Sequence, residues 1–152
     1  MTEKRAIASI KRVMDKHPRL TREGFLDFIH HRYETSRAAL LDPDSVAEFL
    51  RARDFLSDCN IRKTINRAWG TSASSFARAA EKDCGVYIST GAVIAAAVSL
   101  GAKVQRIEYM ANAWLSIGRR RGTCLVRRRR TSISLRSDAP HKPVNDAPVL
   151  DG

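Results

Sequence analysis

Arginine and lysine dominate the second half of the chain, and they are residue types that bind phosphate. Residues 60–130 carry 14 Lys and Arg against 3 Asp and Glu, whereas residues 1–59 and 131–152 are each nearly neutral. Almost all of the net charge of +11 therefore lies in one region. Such a concentration is typical of a surface for an anionic partner, and nucleic acid is the first class to consider. The predicted nucleic-acid-binding residues are Arg62, Lys63, Arg67, Arg78, Lys82, Lys103, Arg106, Arg119, Arg120, Arg121, Arg127, Arg128, Arg129 and Arg130.

Two arginine blocks form the densest part of this region. Arg119–Arg121 and Arg127–Arg130 place seven arginines within twelve residues, and no acidic residue interrupts them. Because these charges repel one another and cannot all be buried, the segment is predicted to lie in solvent. Guanidinium groups bind phosphate oxygens without reading base sequence, so we expect mostly electrostatic binding. An acidic protein that docks on the same basic face is the alternative partner, which would make the chain an adaptor.

Aromatic residues lie among these charges and have two interpretations. Trp69, Tyr87, Tyr109 and Trp114 are of the type that stacks on unpaired bases. Large aromatic side chains also contribute much of a hydrophobic core. The core interpretation is preferred for each of the four.

Residue types suited to catalysis or metal binding are present, but their spacing does not support either role. His30 and His31 are neighbours, and neighbours on a helix point about 100° apart, which makes joint ligation of one ion difficult. Cys59, Cys84 and Cys124 lack the spacing of a zinc site or a disulfide framework. The sequence shows no catalytic triad order, phosphate loop or paired carboxylates. It therefore predicts a protein that is not an enzyme and uses no metal or cofactor.

A short apolar helix is the element that must position the basic residues. From Ala92 to Leu100 every residue except Ser99 is apolar. A helix that is apolar on all sides has no face for solvent, so a helix over residues 90–100 is predicted to be the buried centre of the fold. This run is about half of the roughly 20 residues that cross a bilayer, and no membrane contact is predicted.

The ends of this helix carry recognisable signals. Ser89 or Thr90 can cap its start, and Gly101 is suited to the left-handed residue after its end. Free N–H groups at Ser89, Thr90 and Gly91 could also bind a phosphate. Ordinary capping is the preferred interpretation.

Apolar residues at helical spacing predict that most of the remaining chain is helical too. The predicted helices cover residues 2–16, 21–33, 43–57, 60–69 and 71–84, with a further turn over 37–41 and a continuation over 104–110. Alternating residues near 112–117 favour a short extended segment. The predicted fold is mainly α: a helical domain over 1–118, with a near-neutral part (1–59) and a basic part (60–118). A disordered basic tail is predicted over 119–152.

The two helices over residues 71–100 have about the lengths of a helix-turn-helix motif. A recognition helix must present polar side chains to base edges, and between Gly91 and Leu100 there is only Ser99. A two-helix packing unit is therefore preferred, and any contacts with DNA are expected from the flanking basic residues.

Three groups of residues carry a resemblance to a known family. They are Lys63-Thr64-Ile65-Asn66, the run from Tyr87 to Ala97, and Asn112-Ala113 with Leu115-Ser116-Ile117. Over about residues 60–118 the chain resembles an uncharacterised family of small proteobacterial proteins associated with plasmids and other mobile elements. The resemblance implies a genetic context and no catalytic residue, and it does not extend to the arginine blocks.

Charge and resemblance together lead to one functional expectation. The N-terminus, Met-Thr-Glu-Lys-Arg-Ala, has no apolar signal-peptide core, so a cytoplasmic location is predicted. The expected function is that of a nucleic-acid-binding accessory or regulatory protein of a mobile element. The alternatives are an adaptor whose basic face meets an acidic protein, and a non-enzymatic helical protein of uncharacterised role in which the arginine-rich tail is incidental.

Overall fold

Five α-helices, a 3-10 turn and three pairs of short strands make up the regular structure of residues 1–120. The structure is a computed structural model that describes residues 1–120. For Trp69, Arg119 and Arg120 it describes the backbone and not the side chain. The helices are α1 (Glu3–Lys16), α2 (Tyr33–Ala39), α3 (Pro43–Ser57), α4 (Ala73–Cys84) and α5 (Thr90–Ser99). The antiparallel pairs are β1 (Leu20–Thr21) with β2 (Gly24–Phe25), β3 (Cys59–Ile61) with β6 (Ile117–Arg120), and β4 (Val104–Arg106) with β5 (Ala113–Leu115). The predicted mainly α fold is confirmed.

The helix α5 is the buried centre of this fold. Every residue from Gly91 to Ala97 is buried, and α1, α3 and α4 pack around the helix. Ser89 caps it by accepting a hydrogen bond from the Ala92 N–H at 3.4 Å. Gly101 follows its end with a φ of +89°. The predicted central helix, its cap and its terminating glycine are therefore confirmed.

Helices with clear local signals also lie where they are predicted. Helix α3 begins at Pro43, and Ser72 caps α4 by accepting a bond from the Ser75 N–H. Gly85 ends α4 with a φ of +74°, a conformation that glycine adopts without a steric penalty. The longest helix of residues 1–120, α3, has 15 residues, and none of these helices has the length and apolar character needed to cross a bilayer.

The helix predicted from residue 21 to 33 is wrong. A hairpin, β1 and β2, occupies its first half, and α2 begins only at Tyr33. Gly24 has a φ of +115°, and a Cβ at this position would overlap the carbonyl oxygen of Ala111. This close approach of two backbones requires glycine and bends the chain out of a helical path. The loop that follows leaves Phe28 and Ile29 exposed instead of buried.

Two further helical predictions are wrong for a related reason. A helix is predicted over 60–69, but residues 59–61 form the strand β3, which pairs with β6. A 3-10 turn, Trp69–Thr71, lies at the end of this segment. The predicted continuation over 104–110 is strand β4 followed by a turn in which Tyr109 has a φ of +59°. Strand pairing outweighs local helix propensity in both segments, with the distant strand β6 in the first case and with the nearby strand β5 in the second. The predicted extended segment near 112–117 is confirmed by β5 and β6.

A buried carboxylate holds the start of α5 against α3. Glu48 is 4% exposed, and its Oε1 accepts a bond from Arg22 Nη2 at 2.7 Å. Its Oε2 accepts a bond from the Ser89 N–H at 3.1 Å, and the Gly91 N–H donates to the Arg22 carbonyl at 2.9 Å. The hydrogen bond with Glu48 raises the pKa of Arg22. Two of the three N–H groups that a phosphate could use, those of Ser89 and Gly91, are thus occupied by the protein itself.

Replacement of Gly91 by alanine should destabilise the protein by about 3 kcal/mol, near the upper end of the usual cost of overpacking. In an ordinary helix the same change stabilises by about 1 kcal/mol. Here the new Cβ would overlap the Thr21 carbonyl oxygen and lie 2.7 Å from the Arg22 oxygen. Urea unfolding measures the loss.

Gly70→Ala is the matched control for this experiment, because no atom lies within 4 Å of the Cβ that it would add. Its free energy of unfolding should stay within about 0.5 kcal/mol of the wild type. An equally stable Gly91→Ala protein would contradict the close contact between α5 and the β1–β2 turn.

Candidate nucleic-acid interface

One extended segment, β5 followed by β6, positions several of the predicted basic residues. Ser116 lies between the two strands and is 1% exposed. Its N–H donates to the Lys103 carbonyl at 2.9 Å, and its carbonyl accepts a bond from the Arg62 N–H at 2.7 Å. Its Oγ accepts a third bond, from the Lys103 N–H at 2.7 Å. This buried serine therefore brings together the backbones of two basic residues that are 41 positions apart.

The side chain of Arg62 lies across the backbone of β6. A Cβ built at Gly118 would stand 2.7 Å from the Arg62 Nε, so the glycine leaves room for the guanidinium. In the same strand pair, Cys59 lies opposite Arg120. The first arginine block therefore begins in β6, the strand against which the Arg62 side chain lies.

Arg67 reaches the same region from the loop after β3. Its Nε donates to the Gln105 Oε1 at 3.3 Å. Lys103 directly precedes β4, and because side chains alternate between the two faces of an extended chain, Gln105 and Lys103 lie on the same side of it. Arg62, Lys63, Arg67 and Lys103 are all exposed, and we call these four residues the strand cluster.

Arg106 lies on the other face of β4 from Lys103. Its Nη1 is 3.0 Å from the Asp27 Oδ1, and Arg19 contacts the same carboxylate at 3.3 Å. The hydrogen bond from Arg106 lowers the pKa of Asp27, and the charges of both arginines lower it further. Arg106 is therefore directed to an internal partner and does not join the strand cluster.

The other predicted basic residues lie on α4, at the end of β6 or beyond the described residues. Arg78 and Lys82 are exposed on α4, with the acidic residues Glu81 and Asp83 beside them. Arg119 and Arg120 belong to β6 by their backbone. Arg121, Arg127, Arg128, Arg129 and Arg130, and the predicted disordered tail beyond residue 120, lie outside the described residues.

The aromatic residues divide into two groups. The interpretation as core is wrong for Tyr87 and Tyr109, which are 65% and 97% exposed. Trp114 is half-buried and lies opposite Gln105, beside the strand cluster. The side chain of Trp69 is outside the described part of the chain.

The burial of α5 excludes a role for this helix as the recognition helix of a standard helix-turn-helix motif. The helices α4 and α5 follow one another as the motif requires, but the residues of α5 from Gly91 to Ala97 are buried. A helix enclosed by other helices cannot enter a DNA groove. Contacts with nucleic acid would have to come from the exposed basic residues.

Among residues 1–120, no group of three or more His, Cys, Asp and Glu side chains is arranged to hold a metal ion. His30 and His31 stack with their ring centroids 4.7 Å apart, in a loop before α2 and not on a helix. The exposed Arg and Lys side chains of the strand cluster are suited to binding anions.

Three residues that organise the region carry no signal of that role in the sequence. Glu48 is one of several acidic residues on a predicted helix, and Ser116 belongs to the alternating segment near 112–117 and to the family resemblance. Gln105, which binds Arg67, carried no signal. Their roles depend on partners that are distant along the chain, so no local pattern could have identified them.

No family model, no curated protein and no solved structure matches the chain. The resemblance over residues 60–118 therefore stays a prediction.

Proposed function

We propose that the chain binds nucleic acid mainly through electrostatic contacts. The strand cluster supplies the ordered part of the interface, and the arginine blocks continue it. The observation that carries this proposal is the course of β6, which leads from the backbone beneath Arg62 directly into Arg119 and Arg120. Cations that adjoin β3 and β4 and cations in the segment that follows β6 can thus contact one phosphate backbone.

Such an interface would give affinity with little sequence preference. Phosphate contacts release counterions from nucleic acid, so the affinity falls as salt rises, whereas base contacts supply specificity. The resemblance to mobile-element proteins supports a role as a cytoplasmic accessory or regulatory protein, for which general binding of nucleic acid would be sufficient.

Replacement of all four strand-cluster residues by glutamine tests the proposal. If two of the four contact phosphates at one time, the slope of log affinity against log salt should flatten by about two units on duplex DNA. The affinity near 0.15 M salt should then fall about thirtyfold, and by a similar factor for unrelated sequences. Fluorescence anisotropy with a labelled duplex and a labelled single strand, over a salt series, measures both quantities.

A second variant with the same loss of charge is the control. Lys4, Arg5, Lys11 and Arg12 are exposed on α1, and their replacement by glutamine also removes four charges. Its slope should change by less than about half a unit. Equal losses in the two variants would show that net charge alone controls binding. Unchanged binding in both would shift the interpretation to an acidic protein partner.

A further inference from the structure

A groove of about 390 Å³ lies between the end of α1, the loop after β2 and strand β4. Phe25, Phe28 and Val104 supply its apolar lining. Lys16, Arg19 and Arg106 supply its basic groups, and none of its lining residues in the described part of the chain is acidic. An apolar surface with basic groups at its edge suits a ligand that has an apolar body and a negative charge.

The two guanidinium groups are held in place before any ligand binds. Asp27 contacts Arg106 at 3.0 Å and Arg19 at 3.3 Å. The Arg19 guanidinium also lies 5.5 Å from the centre of the Phe28 ring. One carboxylate cannot neutralise two guanidinium groups or use all of their N–H donors. Positive charge and free donors therefore remain at the edge of the groove.

The end of α1 would repel an anion if its carbonyl groups faced the groove without partners. Arg37 offsets this effect. It donates to the carbonyl oxygens of Met14, Pro18 and Leu20 at 3.2, 2.7 and 3.0 Å. The negative end of the helix is thus partly neutralised from the side of α2.

We propose that this groove binds a small amphiphilic carboxylate. Its flat or acyl body packs on Phe25, Phe28 and Val104, and its carboxylate contacts Arg19 and Lys16. The volume lies within the range of roughly 300–1,000 Å³ that is typical of small-molecule sites. Val104 lies on the opposite face of β4 from Lys103, so this site is separate from the strand cluster and independent of the proposed function.

Naphthalene-2-carboxylate is a suitable probe, and naphthalene-2-carboxamide has the same body without the charge. We expect titration calorimetry to show binding of the carboxylate, and binding of the carboxamide that is about tenfold weaker. Arg19→Gln and Phe28→Ser should each weaken the binding of the carboxylate about fivefold. Phe28 is 55% exposed, so its replacement should leave the fold intact, and a thermal melt checks this.

Arg78→Gln and Tyr87→Ser are matched controls, because they remove an exposed arginine and an exposed aromatic ring from another part of the surface. Both should bind the probe like the wild type. Equal affinity for carboxylate and carboxamide, or loss of binding in these controls, would overturn the proposal.

A competition experiment distinguishes a free ligand from a lipid surface. Free decanoate should displace the probe, whereas vesicles of phosphatidylcholine and phosphatidylglycerol should not. Displacement by the vesicles but not by decanoate would show that the groove faces lipid headgroups, and the small-ligand proposal would be wrong.

Discussion

Replacement of Ala96 by aspartate should destabilise the protein by about 5 kcal/mol, because an unpaired charge would be buried among helices. Ala96 is completely buried in the middle of α5, where α1, α3 and α4 pack around the helix. A domain of this size is stable by about 5–15 kcal/mol, so the substitution should remove at least about a third of the stability and lower the melting temperature strongly. Circular dichroism and thermal melting measure the effect.

Ala79→Asp is the control that separates the effect of burying a charge from the effect of the lower helix propensity of aspartate. Ala79 is exposed in the middle of α4, so the same substitution there costs only the propensity difference, about 0.7 kcal/mol. The two melting temperatures should therefore differ widely. Similar melting temperatures would mean that α5 is not the enclosed centre of the fold.

Features of the fold that depend on residues nearby in the sequence could be predicted, and features that depend on distant residues could not. The central helix, the start of α3 at Pro43 and the end of α4 at Gly85 depend on residues within one turn of the helix concerned. The hairpin at Gly24 depends on Ala111, which lies 87 positions away. Apolar spacing alone could not reveal this contact, and the segment was predicted as a helix.

The same distinction applies to the candidate interface. The basic residues could be identified from composition, because charge type and density are properties of the sequence. The division of these residues between the two sides of β4 could not be identified from composition, because it requires residues 104–106 to form a strand and not a helix. Lys103 and Arg106, only three positions apart, were predicted to act together, yet Arg106 binds Asp27 instead.

Glutamine at all seven arginines of the two blocks should cause the largest loss of nucleic-acid affinity. These residues are Arg119, Arg120, Arg121, Arg127, Arg128, Arg129 and Arg130. Each phosphate contact contributes about 0.9 to the slope of log affinity against log salt on duplex DNA, so the slope should flatten by about four to six units. Unrelated sequences should lose affinity equally, because guanidinium contacts with phosphates carry no base information.

Combination with the strand-cluster variant tests whether the two sets of cations bind one nucleic acid. If both contact the same phosphate backbone, the loss of slope in the combined variant should equal the sum of the two separate losses, within the usual additivity of independent sites. A combined variant no weaker than the seven-arginine variant would show that Arg62, Lys63, Arg67 and Lys103 make no contact with the bound strand. Unchanged affinity and slope in the seven-arginine variant would remove the electrostatic basis of the proposal, because the densest cations of the chain would then take no part in binding.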